Sequence, residues 1–182
     1  MSTYVKDCDC EKDWYNDKEK CIDDRKRDRF FKPIILSCGT SNSIDFDGSG
    51  TLDEVVLPDP SSGIVAQVVI DTSGICKPKV EIEFSSIVNF VASFQDARGA
   101  VNFRLFRTCD NQEQVLLNTW TYEVVKIEDL NTIALSNSFS FIFCDFLKTP
   151  GCCSYFVEAS VGDLVNVERI SINNIFITAI AQ

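Results

Sequence analysis

The sequence predicts an all-β protein: a single jelly-roll-like β-sandwich of about eight strands, preceded by an extended N-terminal arm. Two observations carry this expectation. From residue 33 onward, short segments alternate apolar and polar residues with a period of two, the pattern of half-buried antiparallel strands. Between them lie clusters of Gly, Pro, Asp, Asn and Ser that end strands and make turns, and no helical stripe competes. Two domains follow from this division, an arm over residues 1–32 and a sandwich over residues 33–182.

The strands are expected in this order. "PIILSC" (33–38) opens the body and "GIVAQVVID" (63–71) follows it. "KVEIEF" places Val80, Ile82 and Phe84 on one face and Lys79, Glu81 and Glu83 on the other. "AVNFRLFR" turns Val101, Phe103 and Leu105 inward and Asn102 and Arg104 outward. "EQVLLNTWTYEVV" (113–125) and "SFSFIF" come next, the latter with Phe139, Phe141 and Phe143 on one face. "CSYFVEASV" groups Cys153, Tyr155, Val157 and Ala159, and "VERISINNIFITAIA" (167–181) closes the chain. Turn signals such as "GTSNS", "DGSG", "LPDPSSG", "QDARG" and "KTPG" separate them. Many short strands with such punctuation read as a sandwich.

The arm differs in composition. Residues 1–32 hold nine acids and nine bases, so the net charge of −10 resides wholly in the body. A mixed-charge segment poor in apolar residues cannot bury enough surface to order itself alone. "FFKP", from Phe30 to Pro33, reads as a hinge whose two aromatics anchor the arm to the body. The first residues lack an apolar signal-peptide core, and synthesis in a cytoplasm is expected. The acidic charge speaks against nucleic-acid binding and against anionic membrane surfaces, and no apolar run is long enough to insert in a membrane.

Histidine is absent, which removes the usual general base and the commonest metal ligand. Nine cysteines remain, an odd number, so at least one is free or bonds another molecule. Zinc is disfavoured, because "CDC" and "CC" do not have the two-to-four-residue spacing of cysteine metal sites. A catalytic thiol needs a group that lowers its pKa. Arg107 lies near Cys109 but is expected on a solvated strand face. The acids Asp45, Asp47, Glu81, Glu83 and Asp145 form no pair that the sequence singles out, so neither an enzyme nor a cofactor is expected. "DFDGSGTLDEVV" resembles a calcium-binding EF-hand loop, but position twelve is Val56 and the flanks are not helical. It reads as an acidic turn, with calcium at Asp45, Asp47 and Asp53 as the weaker alternative.

Disulfides explain the cysteines best. Cys8, Cys10 and Cys21 sit in the arm without apolar company, and the extended arm reaches on the order of 100 Å. Cys8 and Cys10 are therefore candidates for bonds to another subunit, as is Cys21. In a strand adjacent side chains point to opposite faces, so Cys152 and Cys153 diverge, and Cys152 joins the intermolecular candidates. Cys38, Cys76, Cys109, Cys144 and Cys153 sit at strand ends, which meet at the rims of a sandwich. They are candidates for internal bonds or for receiving an arm.

"CKPKVEIEFSSIVNF", "FRLFRTCDNQEQ", "NTWTYEV", "SFSFIFCDF" and "GCCSYFVEA", in this order, resemble a cysteine-rich domain-of-unknown-function family of clostridia and related spore formers, over residues 34–181. More distantly, the chain is similar to endospore appendage subunits of bacilli. That likeness implies a jelly roll made without a signal peptide, stacking through edge strands, and a connector whose cysteines correspond to Cys8 and Cys10. An Asp separates these two, where the appendage connectors have adjacent cysteines. The expected function is a structural subunit that polymerises with itself into a disulfide-cross-linked fibre, on the spore surface or outside the cell. Spore-coat or exosporium proteins are the other expected partners. The alternative is a carbohydrate- or ligand-binding module using Trp120 and Tyr122. Aromatics in "TWTYEV" are more simply placed with one in the core and the rest in cross-strand pairs.

Overall fold

A computed structural model describes residues 34–47, 62–92, 96–110, 112–125, 132–162 and 164–182. Every element among them is a strand: β1 (Ile35–Cys38), β2 (Thr40–Ser41), β3 (Ile44–Asp47), β4 (Ser62–Asp71), β5 (Lys79–Ala92), β6 (Arg98–Cys109), β7 (Val115–Val125), β8 (Ile133–Phe146), β9 (Cys152–Val161) and β10 (Arg169–Ala181). The arm, residues 1–32, lies outside the described residues.

The strands form two antiparallel sheets. The first has the order β1-β10-β5-β8, with β3 also paired to β10. The second has the order β2-β4-β9-β6-β7. Adjacent β6 and β7 pair within one sheet, whereas each other step from β3 onward crosses to the opposite sheet. Crossing back and forth places β10 beside β1 and β9 beside β4, the wrapped arrangement of a jelly roll. Ten strands replace the expected eight because the opening strand is broken. β1 and β3 lie in the first sheet and β2 in the second, so the chain changes sheets twice within residues 35–47. Segments of two to four residues leave too little alternation to read from sequence.

Alternation decides which face each residue takes. Val80, Ile82, Phe84, Val88 and Phe90 of β5 point between the sheets, and Val101, Phe103 and Leu105 of β6 meet them. Tyr155, Val157 and Ala159 of β9 are fully buried. Each large apolar side chain so buried contributes about 1.5–3 kcal/mol. β10 cannot keep one alternation through its length. A bulge between Asn173 and Phe176 shifts the register, and Asn174 adopts a left-handed conformation with φ 49°. Ile170 and Ile172 face inward before it, Ile177, Ala179 and Ala181 after it. A bulge resets which residues face the core.

Where β7 and β8 meet, the open side of the sandwich is filled by aromatic rings. Phe141 stacks on Phe84 at 5.0 Å and on Trp120 at 3.8 Å between centroids. Phe139 stacks on Phe103 at 4.3 Å and takes Tyr122 edge-on at 6.1 Å.

Candidate functional site

Two cysteines and three hydrogen-bonded polar side chains meet at one end of the sandwich. Cys109 ends β6 and lies directly opposite Cys153 near the start of β9. The two are joined by a disulfide whose Cα atoms are 4.1 Å apart. The next inward pair on the same two strands is Arg107 and Tyr155. Arg107 Nη1 donates to both oxygens of Asp145, at 3.0 and 2.7 Å, and the Tyr155 hydroxyl donates to Asp145 Oδ2 at 2.9 Å. Asp145 belongs to β8, in the other sheet. The three side chains therefore bridge the two sheets, beside the disulfide.

This corrects the expectation that Arg107 lies on a solvated face, and it singles out Asp145 from the other acids. The physical reason is parity. Arg107 follows Val101, Phe103 and Leu105 at spacing two, and Asp145 follows Phe139, Phe141 and Phe143 in the same way. Each polar residue continues an inward series, Asp145 buried and Arg107 half-buried. Burial first, then the neighbouring Asp145 carboxylate and its hydrogen bond, push the Tyr155 phenol well above its ordinary range, against the opposing Arg107 charge. The phenol thus remains a protonated donor, and the arrangement acts as a strut between sheets.

The remaining body cysteines face outward. Leu36, Ile180, Glu81 and Cys144 form one row across the outer face of the first sheet, and Cys38, Thr178, Glu83 and Ile142 form the next. Cys38 is exposed on edge strand β1 and is a free thiol. Cys144 is also a free thiol, half-buried, and donates to Glu81 Oε2 at 3.8 Å. The two thiols stand roughly 16 Å apart, three strand spacings across and two residues along, so the fold does not bring them together. Cys152 faces outward from the second sheet, opposite in direction to Cys153. Its backbone N–H donates to Asp110 Oδ1 at 3.0 Å. The neighbouring turn is pinned by Thr72, whose buried hydroxyl donates to the Gly151 carbonyl at 2.8 Å and accepts from the Gly151 N–H at 3.0 Å. Cys76, in the turn before β5, is disulfide-bonded. Cys8, Cys10 and Cys21 lie outside the described residues.

The calcium candidate changes character. Asp45 and Asp47 are exposed residues of β3, paired opposite Ser171 and Arg169, with Phe46 buried between them. An extended strand points both carboxylates the same way along its outer side and does not wrap them around an ion. Asp53 lies outside the described residues, and among the described residues no cluster of three or more acidic, cysteine or histidine groups is placed to hold a metal. Trp120 and Tyr122 are half-buried, their rings packed against Phe141 and Phe139. The Tyr122 hydroxyl accepts from Asn137 Nδ2 at 2.9 Å.

No curated protein matches the chain. Among solved structures, it is similar to the Eiger TNF of S. frugiperda, at 14% identity and a TM-score of 0.38, covering 82% of this chain and 92% of that one. It is also similar to the infectious bursal disease virus Gx strain structure, at 7% identity and a TM-score of 0.38, covering 82% of this chain and 36% of that one. A third similarity is to tailspike protein 4 of bacteriophage CBA120, at 13% identity and a TM-score of 0.27, covering 79% and 19%. No helix among the described residues is long and apolar enough to cross a membrane. The profile of a domain of unknown function matches residues 32–182, the whole sandwich, and the chain belongs to that family, DUF4489.

Proposed function

We propose that the protein is a structural subunit. It polymerises with itself into a disulfide-cross-linked fibre on the spore surface or outside the cell. Edge strands would pair between subunits, and the N-terminal arm would bond to a neighbour. The observation that carries this reading is the division of labour among cysteines. Cys109 and Cys153 are consumed inside the sandwich, while Cys38 stands exposed on an edge strand. A thiol there serves no packing purpose in its own subunit. The open edges agree with it: β7 and β8 end their sheets as strands of 11 and 14 residues, long enough to template another strand. The finer likeness to clostridial spore-former families and to endospore appendage subunits belongs to the same proposal, as do spore-coat or exosporium partners. Sugar binding through Trp120 and Tyr122 is weakened by the packing of both rings against phenylalanines.

The test is an oxidised preparation run on a denaturing gel with and without reductant, beside a negative-stain grid. A ladder that collapses to monomer with reductant, together with filaments, is expected. Replacing Cys8 and Cys10 with Ser should remove most of the ladder and leave the body folded. Monomer in both lanes and an empty grid would end the fibre reading.

A further inference from the structure

Edge strands are normally guarded by charge, proline, bulges or sheer shortness, because their free N–H and C=O groups template another strand. The other sheet-end strands of this sandwich follow that rule. β1 has four residues and β2 has two. β7 carries Glu123, and its ladder with β6 shifts register between Leu105 and Phe106. β8 has no such guard. All 14 of its residues pair with β5 in one unbroken register, and among the described residues no strand pairs with its other side. It holds no Pro, Gly, Lys, Arg or Glu. Its one charged residue, Asp145, turns inward to Arg107 and Tyr155. Residues 133–144 therefore form an uncharged edge on a chain of net charge −10.

The order of side chains along this edge makes it complementary to itself. Ala134, Ser136, Ser138, Ser140 and Ile142 are all exposed and alternate onto the outer face of the first sheet. In either direction the row reads apolar, Ser, Ser, Ser, apolar. A second copy running antiparallel, with a two-fold axis at Ser138, sets Ser136 opposite Ser140 and Ala134 opposite Ile142. On the inner side, Leu135 then meets Phe141 and Ile133 meets Phe143, with Asn137 opposite Phe139. Moving the axis to Asn137 sets Ala134 against Ser140, and moving it to Phe139 sets Ser136 against Ile142. Only the axis at Ser138 keeps like opposite like along the whole outer row. Matched cross-strand pairs stabilise an antiparallel ladder, and a hydroxyl both donates and accepts. The acidic charge of the chain opposes self-association in general, but this edge brings no acid against its twin.

We propose that β8 pairs with β8 of a second copy, antiparallel about a two-fold axis at Ser138. The first sheets of the two subunits then become one continuous sheet. The contact is isologous, so each copy offers the same residues. It rests on the edge pairing of the proposed function and adds the strand, the partner and the register. Unlike head-to-tail stacking, a two-fold contact closes on itself. A fibre containing it would grow from such pairs through its disulfides.

The experiment holds the full chain in reductant, which removes disulfides between subunits, and follows its mass by sedimentation equilibrium at micromolar concentrations. A reversible dimer is expected. Loss of the disulfide ladder and the filaments would end the fibre reading and leave this dimer standing, whereas a ladder without the dimer would overturn the pair alone. Ser136→Lys, Ser140→Lys sets lysines against lysines twice and should weaken dimerisation several-fold, although it makes each chain less acidic. Ser136→Lys, Ser140→Glu sets opposite charges together in the proposed register and should still dimerise. Circular dichroism in the same buffer checks both folds. If the dilysine variant misfolds, hydrogen exchange on the unaltered chain decides: amides of residues 134–142 should exchange several-fold more slowly in concentrated than in dilute samples. A monomer throughout, open-ended polymers without a dimer, a dimer indifferent to the two lysines, equal disruption by both variants, or exchange in β8 independent of concentration would each overturn the proposal.

Discussion

Asp145 is a carboxylate held between two β-sheets, and its environment makes it hard to replace. It accepts three hydrogen bonds, two from Arg107 and one from Tyr155. Asp145→Ala would leave a guanidinium and a buried hydroxyl without their partner, at a cost of about 2–3 kcal/mol. Urea unfolding should show this as a lower midpoint with an unchanged slope. A loss below about 0.5 kcal/mol would mean that water replaces the carboxylate freely. Tyr155 gives a separate signature in pH. In the fold its phenol stays protonated well past its ordinary pKa. In the unfolded chain it ionises near pH 10. Its contribution is complete below about pH 10 and declines above it, because the unfolded chain releases a proton the fold retains. Thermal midpoints taken from pH 9 to 11 should fall less steeply in Tyr155→Phe than in the parent, and equal slopes would place the phenol in contact with solvent. At this scale the sequence held more than composition suggests. Arg107 and Asp145 both sit on inward-facing parity, but a charged residue at the end of an apolar series reads as a solvated terminus unless its partner is known, and the partner comes from another sheet.

Among the elements, the broken opening strand depends on a close approach at Gly39. Its N–H donates to the Ile177 carbonyl in the first sheet, and a Cβ at this position would collide with the Gln67 carbonyl oxygen of β4 in the second. The backbone passes from one sheet to the other there without room for a side chain. Gly39→Ala should destabilise by about 1–3 kcal/mol, seen as a lower thermal midpoint. Unchanged stability would show that this corner shifts easily. The β6–β9 pair carries the second element-scale expectation. The Cys109–Cys153 bond spans a sequence separation of 44 residues. On the loop-closure account it contributes about 4 kcal/mol. The Cys109→Ala, Cys153→Ala variant should lose stability of that order in denaturant titration while keeping its β-sheet circular dichroism. Long strands were legible because β5, β6 and β9 alternate cleanly over eight or more residues. β2 and β3 were not, since so few residues carry no period, and the acidic composition of "DFDG" suggested a turn where Phe46 in fact pins a strand to the core.

For the whole molecule, alternation names the face of each residue but not the neighbour of each strand. The jelly-roll order rests on pairings such as β4 with β9 and β5 with β10, joining residues roughly 80 to 100 positions apart. Only the class of fold could be read from turns and periods. The same limit held for the candidate site. The sequence placed Cys109 and Cys153 among the internal or acceptor thiols, but their partnership needs the β6–β9 ladder. Charge is likewise a property of the whole. The body carries all of the net −10, and residues 1–32 are neutral overall.

Ile35 lies directly across from Ala181, so the two ends of the described body emerge side by side at one end of the first sheet. This has a mechanical consequence. A load applied between those ends opens the short β1–β10 ladder like a zipper, one pair at a time over four residue pairs. A load entering before Ile34 and resisted at the far end of the sandwich must instead slide all four pairs at once. The direction of pull therefore decides whether β1 is the weakest link of the subunit or a firm point of attachment.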